Sequence, residues 1–200
     1  MKKLIYLISP EKIYSDFYKD LNKVLETRKI KFFQLRLKKI SKNKTIKIAK
    51  KIMKITKIHK VNFLINDSFK IAKIINADGC HLGQLDGSVI NAKKSLKNKI
   101  IGVTCHNSKL LAKTAIKNKA SYVAFGSFGK SLLKPTARKA DLKILKWAKK
   151  NIKKPIVAIG GINNSNYKKL IKAGANYIAI SSYIWDNPEL KPEFAIRKFK

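Results

Sequence analysis

The chain has 200 residues, of which 45% are hydrophobic, enough for one domain with a full hydrophobic core. It carries 46 lysines and arginines against 11 aspartates and glutamates, a formal net charge of +35 at pH 7. These values exclude a disordered tail, and without an apolar run of about 20 residues an integral membrane protein is excluded too. We expect a single domain, residues 1–200, in the cytoplasm, because the short apolar start lacks a signal-peptide cleavage site.

Short apolar runs rich in β-branched and aromatic residues recur along the chain at fairly even intervals. Most are continuous rather than alternating, as in parallel strands that are covered on both faces. Cys80 and Cys105 lie in two of these runs and are predicted to be reduced core residues. The predicted strands are Leu4–Ser9, Phe32–Leu37, Val61–Asp67, Gly79–Gln84, Ile100–His106, Tyr122–Phe128, Ile156–Ile162 and Tyr177–Ser182.

The longer gaps between these runs have helical spacing. Between Ile40 and Lys60 the apolar residues form a stripe against lysines. Further helices are predicted over 107–119, capped by Asn107 or Ser108, over 141–151, and over 164–174, where Gly174 ends the helix. Eight strands alternating with helices predict an α/β protein, a (β/α)8 TIM barrel, with a doubly wound open sheet as the alternative.

The second strand ends in polar residues at every other position, namely Gln34, Arg36 and Lys38. Alternation along a strand places all three on one face. Because Phe33, Leu35 and Leu37 must then face the helices, we expect the polar face to point into the barrel, where it would bind an anion. The alternative is a solvated outer edge.

Two of the few carboxylates follow adjacent strands. Asp67 ends the third predicted strand, and Asp86 lies in the loop after the fourth. Mg²⁺ takes one or two carboxylates and leaves positions for phosphate oxygens and water. The pattern therefore predicts a Mg²⁺ site, and loop capping by the two aspartates is the alternative.

The remaining strand ends carry hydroxyls, glycines and one histidine. Thr104 and His106 end the fifth strand, and His106 is the only histidine that we rank as a site candidate. His81, inside a strand, is predicted to belong to the core or to support the site. Gly160-Gly161 and Ser181-Ser182 follow the last two strands, a recurrent phosphate-binding arrangement in barrels of this kind.

Taken in order, these segments resemble the thiamine phosphate synthase family nearly from end to end. The family's Gln-x-Arg-x-Lys pattern is present at 34–38, its Asn-Asp pair at 66–67, and its His-Leu-Gly-Gln-x-Asp segment at 81–86. Its Gly-Val-Ser/Thr-x-His segment is present at 102–106, and its Gly-Gly pair at 160–161. Several independent segments in the right order make the match specific.

The resemblance implies a (β/α)8 transferase of thiamine biosynthesis that joins a pyrimidine diphosphate to a thiazole phosphate and releases pyrophosphate. It implies a dissociative reaction, in which diphosphate leaves before the thiazole nitrogen captures the pyrimidine cation. Arg36, Lys38 and Lys134 would be catalytic and would bind the diphosphate, together with the substrate-binding residues Gln34, Asn66, Thr104 and Ser131. Gly161, Ser181 and Ser182 would bind the thiazole phosphate, and Asp67 and Asp86 would bind Mg²⁺ as cofactor. The partners implied are these two small substrates, with no specific nucleic acid and no membrane; a homo-oligomer is left open.

One loop departs from the family pattern. After the sixth strand the family carries an aromatic-Pro-Thr-x-Thr-Lys segment, whereas residues 129–134 read Gly-Lys-Ser-Leu-Leu-Lys. Ser131 and Lys134 keep a hydroxyl and the cation, but Leu133 replaces a hydroxyl. The chain is interpreted as a divergent active synthase, with an inactive or repurposed paralogue as the alternative.

Two rival functions remain as hypotheses. The related thiazole tautomerases lack the paired metal carboxylates and carry a histidine where this chain has Ser127, so the sequence argues against that activity. A polyanion-binding protein would explain the positive charge. However, only four of the basic residues are arginine, the residue favoured for phosphate and base recognition. Lysines scattered among isoleucine and asparagine are more typical of a compositional bias.

Overall fold

The computed structural model describes residues 4–129 and 139–200, and its strands form a closed parallel barrel. Each strand pairs with the next along the chain, and the first strand pairs with the last to close the sheet. The predicted (β/α)8 barrel is therefore confirmed. The strands are β1 (Ile5–Ile8), β2 (Ile30–Leu35), β3 (Asn62–Asn66), β4 (Gly79–Leu82), β5 (Ile100–Thr104), β6 (Tyr122–Phe125), β7 (Ile156–Ile159) and β8 (Tyr177–Ile180).

Helices follow the strands and cover the outside of the barrel. Within residues 4–129 and 139–200, no helix combines the length and the hydrophobicity that crossing a membrane requires. The helices of these ranges are α1 (Phe17–Glu26), α2 (Lys42–Ile58), α3 (Phe69–Ile75), α4 (Val89–Leu96), α5 (Lys109–Lys117), α6 (Leu142–Asn151), α7 (Tyr167–Ala173), α8 (Ser182–Trp185) and α9 (Pro192–Ala195), followed by a 3-10 turn over Ile196–Lys198.

All eight predicted strands are present, but each ends one to three residues before its predicted last residue. Most residues beyond the observed ends lie in the loops that lead to the next helices, and Ser9 and Cys105 still donate backbone hydrogen bonds to the neighbouring strands. At Asp67 and His106 the chain turns away with a left-handed backbone, at φ of 64° and 51°. Ser9, Cys105 and Ser127 are buried, so burial extends further along the chain than the regular strands do.

Alternate strand residues build two separate apolar layers, as the 2-residue period of a strand requires. In β6, Val123 and Phe125 pack outward against the helices, whereas Tyr122 and Ala124 fill the barrel interior. Cys80 and Cys105 are buried in the outer layer, which confirms their predicted place. Burial raises the pKa of each thiol to about 12, so both stay protonated.

Side-chain hydrogen bonds cap two of the predicted helices, and a glycine ends a third. Ser108 Oγ accepts a hydrogen bond from the Leu111 backbone N–H at 3.2 Å, and Asp141 caps α6 through the Lys143 N–H at 2.8 Å. Gly174 ends α7 with φ of 125°, a conformation that favours glycine. Each cap satisfies a backbone group that the helix leaves without a partner.

Gly102 in β5 leaves room for the ring of Tyr122 inside the barrel. A methyl group at this position would lie 1.9 Å from Cζ and 2.2 Å from the hydroxyl oxygen of Tyr122. We expect Gly102→Ala to lower the free energy of unfolding by about 1–3 kcal/mol, because the core must shift to admit it. Urea denaturation measures this change. A stabilised variant, the usual result of Gly→Ala where no clash exists, would contradict the packing described.

Candidate active site

The carboxyl ends of the parallel strands all open at one end of the barrel, which we call the mouth. Loops rise from this end, and their first residues bring polar groups from separate parts of the chain to one place. The segments of the mouth begin at Ser9, Arg36, Asp67, Gly83, Cys105, Gly126, Gly160 and Ser181.

Ser9 continues the pairing of β1 and β2 into the mouth. Its backbone N–H donates to the Gln34 carbonyl at 2.9 Å, and its Oγ accepts from the Arg36 backbone N–H at 2.9 Å. The side chain of Arg36 is mostly covered, and its Nη1 lies 3.8 Å from Oε1 of Glu11. Ser9 thus fixes the backbone of Arg36, and the Glu11 carboxylate lies within ion-pair distance of its guanidinium.

The prediction that Gln34, Arg36 and Lys38 share one inward face is confirmed for Gln34. The strand ends at Leu35, so Arg36 and Lys38 lie in the loop that follows it, and their inward direction stays a prediction. Gln34 is buried with 2% exposure, and its Nε2 donates to the Tyr6 hydroxyl at 2.8 Å. Phe33 and Leu35 face the helices as predicted.

Lys38, Asp67 and Asp86 meet across three loops of the mouth. Lys38 Nζ forms an ion pair with Oδ2 of Asp67, and Asp67 in turn shares a hydrogen bond with the Asp86 carboxyl group. The Asp67 backbone N–H donates to the His81 carbonyl at 2.8 Å, which fixes the turn after β3. The Gly83 N–H donates to Asp86 Oδ2 at 2.8 Å, so Asp86 also caps its own loop.

The two carboxyl groups have unequal proton affinities. Burial alone would raise the pKa of Asp67, but the hydrogen bonds from Lys38 and Asp86 outweigh burial and lower it. Partial burial and the neighbouring Asp67 raise the pKa of Asp86, against the effect of the Gly83 N–H. Two adjacent carboxylates repel each other, so the pair holds a proton readily unless more positive charge is supplied.

This pair suits a hard divalent cation. Asp67 and Asp86 offer only oxygen donors, they are partly exposed at the mouth, and their repulsion is relieved by a positive ion. Mg²⁺ needs no more than one or two carboxylates when substrate phosphates and water complete its shell. Within residues 4–129 and 139–200, no group of three or more His, Cys, Asp or Glu side chains could form a full protein cage.

Asn66 and Thr104 reach the mouth from the ends of β3 and β5, on either side of β4. Thr104 Oγ1 lies 2.7 Å from Nε2 of His81, and its carbonyl accepts a hydrogen bond from the Gln84 side chain. Asn66 ends β3 and is half-buried. His81 is itself buried inside the barrel, so it supports Thr104 from below, in agreement with its predicted supporting place.

The last two strands end beside each other in glycines and hydroxyls. Gly160 and Gly161 have φ of 94° and 61°, a left-handed turn, and the Asn166 side chain donates to the Gly161 carbonyl at 2.8 Å. Ser181 Oγ donates to the Ser9 carbonyl at 2.9 Å, and Ser182 begins α8. Both serines are half-buried, so neither is sealed from solvent.

Of the three remaining candidates, the structure describes only His106. Ser131 and Lys134 lie outside the described residues, as does most of the divergent loop 129–134. His106 follows β5, is exposed, and has its carbonyl bonded by the Gly126 N–H at 3.1 Å. Its role stays a prediction.

Sequence reasoning missed Ser9, Glu11 and Gln84, which contact predicted site residues. Ser9 and Gln84 directly follow apolar runs at strand ends, as the recognised residues do, and this position was the available signal. Glu11 shows no such signal, because its partner Arg36 is brought near only by the pairing of β1 with β2.

Comparison with known proteins agrees with this geometry. A family model described as thiamine monophosphate synthase matches residues 5–184. The thiamine-phosphate synthase of Pelagibacter ubique (strain HTCC1062) is 58% identical over 200 residues, 100% of this chain and 97% of that protein. That of Erythrobacter litoralis (strain HTCC2594) is 40% identical over 190 residues, 92% of this chain and 89% of that protein.

A solved structure shows the same likeness. The thiamine phosphate pyrophosphorylase from Pyrococcus furiosus superimposes with a TM-score of 0.88 at 28% sequence identity. The match covers 99% of this chain and 94% of that one. The resemblance therefore extends over the whole barrel, including every segment of the mouth that the structure describes.

Proposed function

The chain belongs to the thiamine monophosphate synthase family, which makes it a transferase of thiamine biosynthesis, and on this premise we propose its reaction. It joins 4-amino-2-methyl-5-hydroxymethylpyrimidine diphosphate to 4-methyl-5-(2-hydroxyethyl)thiazole phosphate, and the products are thiamine phosphate and pyrophosphate. The observation that carries the proposal is the cluster of Lys38, Asp67 and Asp86 beside Arg36 at the mouth. A charged cluster of this composition suits a diphosphate leaving group.

Asp67 and Asp86 would hold Mg²⁺, which when bound supplies positive charge to the diphosphate oxygens. Lys38 is already directed at this place by its ion pair with Asp67. Ser9 fixes the backbone of Arg36, and the Arg36 side chain is mostly covered, so its guanidinium starts near the place proposed for the phosphate. The chain's excess positive charge attracts both phosphorylated substrates toward the barrel.

The two substrates would occupy different sides of the mouth. The pyrimidine diphosphate would be bound by Arg36 and Lys38. It would also contact three residues at the ends of β2, β3 and β5, namely Gln34, Asn66 and Thr104. Ser131 and Lys134 are proposed to contribute to the same substrate from the sequence alone. Gly161, Ser181 and Ser182, after β7 and β8, would bind the thiazole phosphate.

The proposed reaction is dissociative. The bond between the pyrimidine methylene carbon and the diphosphate oxygen breaks first, and its electron pair leaves with the diphosphate. Lys38 and Arg36 stabilise the negative charge that develops there. The lone pair of the thiazole nitrogen then forms the new C–N bond. No general base is required, and the work of the protein is positioning and electrostatic stabilisation.

The direct test mixes purified protein with both substrates and Mg²⁺ and follows thiamine phosphate by fluorescence after oxidation. We expect product only when both substrates and Mg²⁺ are present. Chelation with EDTA should reduce the rate to background, and added Mg²⁺ should restore it, because the carboxylate pair lacks its cation without the metal.

Two controls make the test decisive. Circular dichroism before and after EDTA shows whether chelation has affected the fold, and omission of each substrate gives the background rate. No product from a folded protein that still binds the pyrimidine diphosphate would overturn the proposal and indicate a repurposed barrel.

A further inference from the structure

A continuous chain of hydrogen bonds crosses the barrel interior and connects two residues of the mouth. Gln34 Nε2 donates to the Tyr6 hydroxyl at 2.8 Å, and the hydroxyls of Tyr6 and Tyr122 lie 2.7 Å apart. The Tyr122 hydroxyl lies 2.9 Å from Nδ1 of His81, whose Nε2 lies 2.7 Å from Thr104 Oγ1. We call these five residues the interior chain. Both of its ends, Gln34 and Thr104, are proposed to bind substrate.

The interior chain lies where water cannot replace a missing partner. Tyr6 and Tyr122 are 1% and 2% exposed, and His81 is 6% exposed. Burial raises the pKa of both tyrosines, so each hydroxyl keeps its proton. In such surroundings a hydroxyl proton without an acceptor costs about 1–3 kcal/mol.

With the Gln34 amide nitrogen as the donor to Tyr6, counting protons determines the direction of every bond in the chain. Tyr6 accepts from the Gln34 amide, so its own proton goes to Tyr122, its other partner among the described residues. Tyr122 must then donate to Nδ1 of His81. That leaves the proton of His81 on Nε2, from which it is donated to Thr104 Oγ1.

While Gln34 donates through Nε2, the opposite direction fails at Tyr6, because it requires the amide oxygen to face the Tyr6 hydroxyl. If Thr104 donated to His81 and His81 to Tyr122, then Tyr122 would donate to Tyr6. Tyr6 would accept two hydrogen bonds, and its own proton would have no acceptor among the described residues. A doubly protonated His81 ring fails for the same reason. Its Nδ1 would donate to Tyr122, so the Tyr122 proton would again point to Tyr6.

We propose that Tyr6, Tyr122 and His81 are positioning residues, which make Thr104 a hydrogen-bond donor and Gln34 an acceptor toward the substrate. Since Oγ1 of Thr104 accepts from His81, its proton points away from His81. Since Nε2 of Gln34 donates to Tyr6, the amide oxygen is the group left for a ligand. The inference rests on the proposed function, because it concerns the pyrimidine diphosphate that these two residues would bind.

The kinetic test is Tyr122→Phe, which removes one hydroxyl and keeps the ring that packs inside the barrel. We expect kcat/KM for the pyrimidine diphosphate to fall about 10- to 100-fold, as for other supporting hydrogen bonds behind a site. The KM for the thiazole phosphate should stay unchanged. The matched control is Tyr177→Phe, because Tyr177 also packs against Phe32 inside the barrel but lies outside the interior chain.

The proton order has its own test, which needs no substrate. The ¹⁵N chemical shifts of a histidine distinguish a protonated ring nitrogen from a bare one. The chain has three histidines, so the signals retained in both His59→Gln and His106→Asn belong to His81. Asparagine suits position 106 because it tolerates the left-handed backbone there.

We expect a protonated Nε2 and a bare Nδ1 in the wild-type protein, and loss of this preference in Tyr122→Phe. A protonated Nδ1 in the wild-type protein, or an unchanged spectrum in Tyr122→Phe, would overturn the proposal. So would equal kinetics for Tyr122→Phe and Tyr177→Phe. If the wild-type protein forms no product, the proposed function fails, and the NMR spectra still decide the proton order by themselves.

Discussion

Asp67→Asn is expected to lower kcat/KM for thiamine phosphate formation about a thousandfold or more, because charge stabilisation at the leaving group is the main catalytic effect proposed. Asp67 is the ionised member of the carboxylate pair and the partner of Lys38, so its charge organises the whole cluster. Asparagine is the appropriate replacement, since φ of 64° at this position disfavours alanine. Steady-state kinetics at saturating Mg²⁺ measure the effect.

The matched control is Asp16→Asn. Asp16 precedes α1, is exposed, and makes no side-chain cap hydrogen bond, so this variant loses the same charge outside the cluster of Lys38, Asp67 and Asp86. We expect wild-type kinetics for this variant and an unchanged unfolding midpoint for both variants. Near wild-type activity in Asp67→Asn would remove Asp67 from the metal site.

Lys38→Ala is expected to lower kcat by about 10²- to 10³-fold, the usual loss when one preorganised group that meets developing charge is removed. The effect should fall mainly on kcat, because Lys38 is proposed to stabilise the negative charge that grows on the diphosphate as it departs. Its side chain is 46% exposed and packs little, so the fold should be unaffected. Single-turnover kinetics separate this chemical step from substrate binding.

Lys54→Ala is the matched control for this variant, since Lys54 is exposed in the middle of α2, where alanine favours the helix. An equal loss in both variants would indicate a general effect of net charge instead of a specific contact. Because Lys38 and Asp67 form an ion pair, the double variant should lose less activity than the product of the two single effects.

The architecture and the candidate residues were predictable from the sequence alone. Continuous apolar runs separated by amphipathic segments specify parallel strands covered by helices, because only that arrangement buries both strand faces. Polar residues directly after those runs then had to gather at one end of the barrel. Gln34, Asp67 and Thr104 were proposed as site residues from their places at strand ends, and Ser108 was one of the two caps that the sequence offered for α5.

The partners of these residues were decided only by the tertiary structure. The Tyr6 and Tyr122 hydroxyls meet across 116 residues of chain, and no local pattern distinguishes them from apolar core residues. Likewise, β2 stops at Leu35, so Lys38 is directed by Asp67 rather than by strand alternation. Periodicity along a strand determines the face that a side chain occupies. Closure of the barrel determines which side chains from other strands lie in the same interior layer. The interior hydrogen bonds, such as that between Tyr6 and Tyr122, join side chains of one such layer.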